Sequence, residues 1–227
     1  MLRPGLPSLP LGGTVTTKAE IVAAEQELAR RDPVLAHLVE VAGPCTIRSG
    51  RRNGRLGHFE ELARSIVYQQ LAGRAAAAIW GRVRALVDGP FTPEAVLALA
   101  EPTLRSAGLS GAKARSIADL ALKVADGHVA LARVGRLADD QVVAELIQVR
   151  GIGRWTAEMF LMFSLGRLDV WPTGDFGVRK GYGRAWGLPE APTPTELEVF
   201  GDRFRPYRSV VAWYCWRAVE TVTPEGF

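Results

Sequence analysis

The sequence predicts an all-α fold, and three observations carry the prediction. Apolar residues recur at three- and four-residue spacing over most of the 227 residues, the period that lines one face of a helix. Helix-opening pairs such as Asp32-Pro33 and Thr92-Pro93 punctuate the chain, the first residue capping with its side-chain oxygen and proline fitting the first helical position. No segment shows the strict alternation of a half-buried strand.

Taken in order, a helix over 18–30 lines up Ile21, Ala24 and Leu28, and a second over 33–41 lines up Leu35, Leu38 and Val39. Residues 47–58 set Gly50, Gly54 and Gly57 among Arg48, Arg51, Arg52 and Arg55, a basic loop that suits phosphate contacts or a hydrated surface equally. Over 59–87 the pattern Leu62, Ile66, Val67, Leu71, Ile79, Val83 is helical, with an interruption predicted near Gly73. Thr92-Pro93-Glu94 opens another helix, and 111–125 forms the next (Ile117, Leu120, Ala121, Val124). Asp139 and Asp140 precede a helix over 142–149, the Arg150-Gly151-Ile152-Gly153 turn leads into one over 154–165, and Gly166 stops it. Asp175 stands where the N-cap of a helix over 176–185 belongs, and two last helices run from about 195–204 and over 206–221.

With 48% hydrophobic residues, a chain of this length buries a substantial core as one domain or two interleaved lobes. The division read from the sequence is a mobile leader at 1–17, a terminal helical lobe from 18–58 plus 187–227, and a lobe of 59–186 holding the glycine turn. Only Cys45 and Cys215 are present, far apart and outside any CxxC pairing, so a disulfide framework and a four-cysteine iron–sulfur cluster lack support. His37, His58 and His128 lack metal-ligand spacing. No signal-peptide or membrane-spanning run is present, and a soluble cytoplasmic monomer is expected. Net charge is +4 with 24 Arg against four Lys, a bias that suits phosphate because guanidinium offers a planar fork of donors. It also occurs in enzymes that never meet nucleic acid.

The strongest local signal is Val149-Arg150-Gly151-Ile152-Gly153-Arg154-Trp155-Thr156-Ala157 between two helical patterns. Glycines one residue apart permit a tight turn and leave the amides of the following helix facing outward toward an anion. On these residues alone the turn is either a phosphate site flanked by Arg150 and Arg154 or an ordinary glycine-capped helix connection. Asp175 lies about one helix and one loop further on, and by itself reads as an N-cap. No Glu or Gln follows at the third helical position to complete a capping box.

Four segments in order, Ile66-Val-Tyr68-Gln69-Gln70-Leu71, the hairpin, Trp171-Pro-Thr-Gly-Asp175-Phe-Gly-Val-Arg-Lys180 and Arg205-Pro-Tyr-Arg208-Ser, together resemble the 3-methyladenine DNA glycosylase II family of helix-hairpin-helix glycosylases. The resemblance covers roughly residues 19–222. It implies two helical lobes with a cleft between them, in a short form lacking the N-terminal β-domain of longer relatives, and double-stranded DNA with alkylated bases as the partner. Asp175 matches the family's catalytic aspartate. Trp155 and Trp216 match aromatic walls of its base pocket, with Tyr68 and Met159 completing the pocket set; some relatives carry a tyrosine where Met159 stands. Gln70 matches the residue that enters the duplex when a base leaves, flanked by Gln69 and Leu71. Arg150, Gly151, Ile152, Gly153, Arg154 and Arg208 fall among the DNA-contacting positions. The family also holds a monovalent cation, Na+ or K+, on main-chain carbonyls, here those of Ile147, Val149 and Ile152; no other cofactor is implied.

The chemistry is consistent with a single carboxylate. An enzyme acting on a base must take it out of the stack. A purine alkylated on a ring nitrogen is cationic, so it departs without a proton and is favoured by stacking on electron-rich rings. Glu158 is read as a solvated or structural residue, and Trp80, Trp186 and Trp213 as core. A lyase needs an amine nucleophile, and the family position that bears it in bifunctional relatives is Trp155 here, so hydrolysis without strand cleavage is expected. The alternatives are a helix-hairpin-helix module that only holds DNA, or a glycosylase for other damaged bases.

Overall fold

A computed structural model describes residues 16–47 and 57–221; the leader up to residue 15 and the basic loop at 48–55 lie outside them. Among the described residues the chain forms twelve α-helices, two 3-10 turns and no strand. Helices α1 (Lys18–Arg31) and α2 (Pro33–Ala42) start where capping chemistry sets them. Thr17 and Glu20 form a reciprocal capping box, and Asp32 accepts the Val34 N–H at 2.9 Å, each cap contributing about 1 kcal/mol.

Helices α3 (His58–Tyr68) and α4 (Gly73–Ala85) part earlier than the predicted break near Gly73. Gln69 is at φ −53, ψ 130, Gln70 at φ +56, and the Leu71 N–H returns to the Tyr68 carbonyl at 3.3 Å. This is a type II turn, which favours glycine where Gln70 stands; a side chain held in left-handed backbone costs roughly 1–2 kcal/mol. Short helices α5 (Pro93–Leu97) and α6 (Glu101–Ser106) lead to α7 (Gly111–Ala125), capped by Ser110. Helix α8 (Asp139–Leu146) starts three residues before the predicted point because Asp139 and Asp140 form its first turn, where carboxylates oppose the helix dipole.

The remaining helices are α9 (Arg154–Phe163), α10 (Phe176–Ala185), α11 (Pro194–Gly201) and α12 (Arg208–Thr221). One continuous apolar core, including Leu28, Leu35, Ile66, Leu104, Ile117, Leu120, Leu146, Leu161 and Phe204, joins them. Each large side chain buried this way stabilises the fold by about 1.5–3 kcal/mol. Helix α7 packs on α3, α5 and α6, whereas α12 is packed by α1, α2 and α10. Helix α10, which the sequence division groups with 59–186, lies along α12, and so near it that a Cβ on Gly181 would stand 1.9 Å from the Cys215 carbonyl oxygen. That approach sets the position of the α10 N-terminus, and with it Asp175.

Candidate active site

Asp175 caps α10 as the sequence suggests: its Oδ1 accepts the Val178 N–H at 2.8 Å. The cap is only part of its surroundings. Trp216, from the middle of α12, donates its indole N–H to the same oxygen at 3.0 Å. Trp155, the second residue of α9, donates its own to Oδ2 at 2.6 Å. Three helices thus meet on one carboxylate, and three N–H donors occupy three of its roughly four lone-pair sites. The two tryptophans expected as pocket walls therefore meet Asp175 edge-on, which leaves their ring faces for other contacts. Trp216 stacks on Phe163 with centroids 6.0 Å apart, while Trp155 remains 49% exposed.

Phe163 and Phe176 are additions that the sequence reading misses. Phe176, next to Asp175, is 62% exposed, and exposed aromatic rings beside a carboxylate form a surface on which a flat cation can stack. Phe163 was legible in principle, because Trp155, Met159 and Phe163 recur at the i, i+4, i+8 spacing of one helix face. Met159 is half-buried on that face. Tyr68 is half-buried at the end of α3, with the Arg64 guanidinium 4.8 Å over its ring.

The glycine turn between α8 and α9 has two constraints at Gly151. Its φ is +77, and a Cβ there would meet the Ser116 hydroxyl at 2.5 Å. Gly153 caps α9 without a side-chain acceptor, so the first-turn amides are available to an external anion. The side chains of Arg150 and Arg154 are exposed beside it. From across the chain, Gln69 donates its amide N–H to the Gly151 carbonyl at 2.9 Å, tying the α3–α4 turn to the hairpin. Gln70 and Leu71 at the tip of that turn are exposed. The carbonyls of Ile147, Val149 and Ile152 are oxygen donors of the kind a hard cation takes. Val149's accepts the Ile152 N–H at 3.0 Å and keeps a second lone pair for a further contact.

One expectation is corrected and another is narrowed. Arg208 is buried, and its guanidinium is paired with Asp169 at 2.8 and 3.0 Å; it braces α12 against the 167–170 segment and is not presented to a phosphate. Of the two roles read for Glu158, solvated or structural, the structure shows the second: it is 5% exposed and accepts from the exposed Arg154 guanidinium at 2.9 Å. Burial raises its carboxyl above the ordinary 4.5, against the lowering effect of Arg154. A carboxyl whose folded pKa is raised contributes stability below the unfolded pKa and loses it as pH rises through the folded one. Glu158→Gln, which stays neutral, should therefore gain stability relative to the parent chain as pH climbs above about 4.5. Urea unfolding across pH checks this, and a difference that stays flat would refute the assignment.

Residues 63–205 match the family model of HhH-GPD superfamily base excision DNA repair proteins. The chain belongs to this superfamily. It is 34% identical to DNA-3-methyladenine glycosylase 1 of Schizosaccharomyces pombe over 207 residues, 90% of this chain and 88% of that one. The solved structure of an S. pombe 3-methyladenine DNA glycosylase in complex with abasic DNA superposes with a TM-score of 0.72 at 32% identity, covering 86% of this chain and 95% of the other. A DNA-3-methyladenine glycosidase from Bacillus halodurans superposes at 0.76 with 34% identity, covering 91% and 90%. The HhH-GPD match contains the α3–α4 turn, the hairpin and Asp175. Trp216 lies beyond its end, so the second indole on the carboxylate comes from a helix outside the matched segment.

Proposed function

We propose that this HhH-GPD protein excises alkylated purines such as 3-methyladenine and 7-methylguanine from double-stranded DNA by hydrolysing the N-glycosidic bond, with Asp175 as the catalytic carboxylate. The observation that carries the reading is a carboxylate held by two indole N–H groups next to exposed aromatic rings. The relatives named as 3-methyladenine glycosylases support the substrate class.

In this mechanism the hairpin amides, with Arg150 and Arg154, hold a backbone phosphate, and Gln70 fills the gap left by the extruded base. The carbonyls of Ile147, Val149 and Ile152 would hold a monovalent cation, which would supply positive charge to the hairpin. Trp155, Phe176 and their neighbours stack on the cationic base, worth about 0.5–2 kcal/mol over a neutral one. As the base leaves with the bonding electrons, positive charge grows on the sugar, and the fixed Asp175 carboxylate stabilises it without reorganising. Water then adds at C1′, gives up a proton to solvent, and yields an abasic site with the strand intact. The relatives named as glycosylases match over most of the chain's length, which disfavours a module that only holds DNA.

Lesion-bearing duplexes test the reading. Free 7-methylguanine should be released with the strand uncut, and borohydride should trap no covalent adduct, since Trp155 stands where a lyase carries its lysine. A trapped adduct would overturn the hydrolytic assignment, and duplex binding without base release would favour the binding module.

A further inference from the structure

The plug turn and the phosphate hairpin come from distant parts of the chain, and a single face of α7 holds both. Lys113, Ser116, Asp119 and Lys123 recur along that face at helical spacing. At its start the Lys113 ammonium donates to the Val67 and Gln69 carbonyls, at 2.7 Å each. These carbonyls lie at the end of α3, where helical partners run out. One turn on, Ser116 is buried against Gly151. Asp119 accepts the Arg150 amide N–H at 2.7 Å, and Lys123 donates to the Gln148 carbonyl at 2.7 Å. Gln69 closes the frame through its bond to Gly151.

We propose that Lys113 is a positioning residue for base extrusion: by clamping the Val67 and Gln69 carbonyls it holds the α3–α4 turn at a fixed offset from the phosphate hairpin, so that Gln70 stands ready to enter the duplex. The inference rests on the glycosylase reading and on Gln70 as the plug. Its physical basis is the left-handed Gln70 backbone, a conformation that persists only where surrounding contacts over-determine it. Lys113 supplies two such contacts from outside the turn. Because Ser116, Asp119 and Lys123 serve the hairpin separately, removing the Lys113 ammonium loosens the plug turn, left with the Gln69 bond to Gly151, and leaves the phosphate grip in place.

The test compares single-turnover excision of 7-methylguanine from a fully paired duplex and from the same strand carrying the lesion in an unpaired loop, together with duplex affinity. Lys113→Met should slow excision from the paired duplex by about tenfold or more, because only there must a base be driven out of the stack. Excision from the loop and the duplex Kd should stay within about threefold, as the phosphate contacts persist. Lys113→Arg, which keeps a cation able to reach both carbonyls, should recover most of the duplex rate; should Lys113→Met not fold, Lys113→Gln serves in its place. An equal loss on both substrates, a parallel loss of affinity, or no loss on the duplex would each overturn the proposal. Gln70→Gly, which relaxes the turn while deleting the plug, separates the layers: without a duplex-selective loss the plug reading fails, and with one while Lys113 variants behave as wild type only the positioning role fails. A parent chain that excises from neither substrate defeats the glycosylase reading itself.

Discussion

Asp175→Asn should lower base release by about three orders of magnitude while leaving the fold and duplex affinity intact. A carboxylate about 4 Å from the sugar carbon interacts with a full positive charge by roughly 4 kcal/mol at an effective dielectric of 20, and each 1.36 kcal/mol is a factor of about ten in rate. Asparagine removes the charge and little else. It caps helices as well as aspartate does, so the Val178 N–H at 2.8 Å keeps its acceptor. One indole N–H then faces an amide NH2 in place of an oxygen. Trp155 is half exposed and can turn its donor to water, so the thermal midpoint should move by only a few degrees, about what 1 kcal/mol produces in a chain of this size. Single-turnover excision with excess enzyme, read beside the thermal midpoint and the Kd for an uncleavable abasic analogue, checks all three parts. A residual rate within about tenfold of the parent would remove the charge from the mechanism, because roughly 4 kcal/mol at an effective dielectric of 20 demands a far larger loss.

What the amino-acid order reveals divides by the range of the interaction involved. Helix starts at Thr17, Asp32 and Thr92 follow from side chains that reach their donors two or three residues away, so local chemistry announces them. The break at Gln69 and Gln70 is not announced, since glutamine favours helix and the next glycine is at 73. It is imposed by Lys113 and Gly151, 44 and 82 residues distant from Gln69. Arg208 fails for the same reason: its partner Asp169 lies 39 residues back, and an arginine in a motif of a DNA-binding family reads as a phosphate ligand until that partner is known. The proposed catalytic set of Asp175, Trp155 and Trp216 is legible only through the family resemblance. Even so, the identities of Trp155 and Trp216 say nothing about their edges, and the indole bonds to Asp175 depend on where α9 and α12 cross the α10 N-terminus.

That packing makes Gly181 a sensitive position outside the site. Gly181→Ala should destabilise the protein by about 2–3 kcal/mol, the upper part of the usual range for overpacking. The added methyl would stand 1.9 Å from the Cys215 carbonyl oxygen, 2.5 Å from its carbon and 2.9 Å from its Cα. All three atoms are backbone, so no rotamer change relieves the contact and α10 must move away from α12. Intrinsic helix propensity runs the other way, favouring alanine by about 1 kcal/mol, and Gly81 isolates that term. It lies inside α4 with open space where a Cβ would sit, so Gly81→Ala should stabilise by about 0.5–1 kcal/mol. The same substitution in two helices thus carries opposite signs, which denaturant unfolding resolves directly. The functional consequence follows from geometry. Asp175 heads α10 and Trp216 sits one residue beyond Cys215 on α12, so separating the helices lengthens the 3.0 Å bond between them. Gly181→Ala should accordingly lose excision at temperatures where it is still folded, and Gly81→Ala should not. If Gly181→Ala matched Gly81→Ala in both stability and rate, the close approach of α10 to α12 would not be what places the carboxylate.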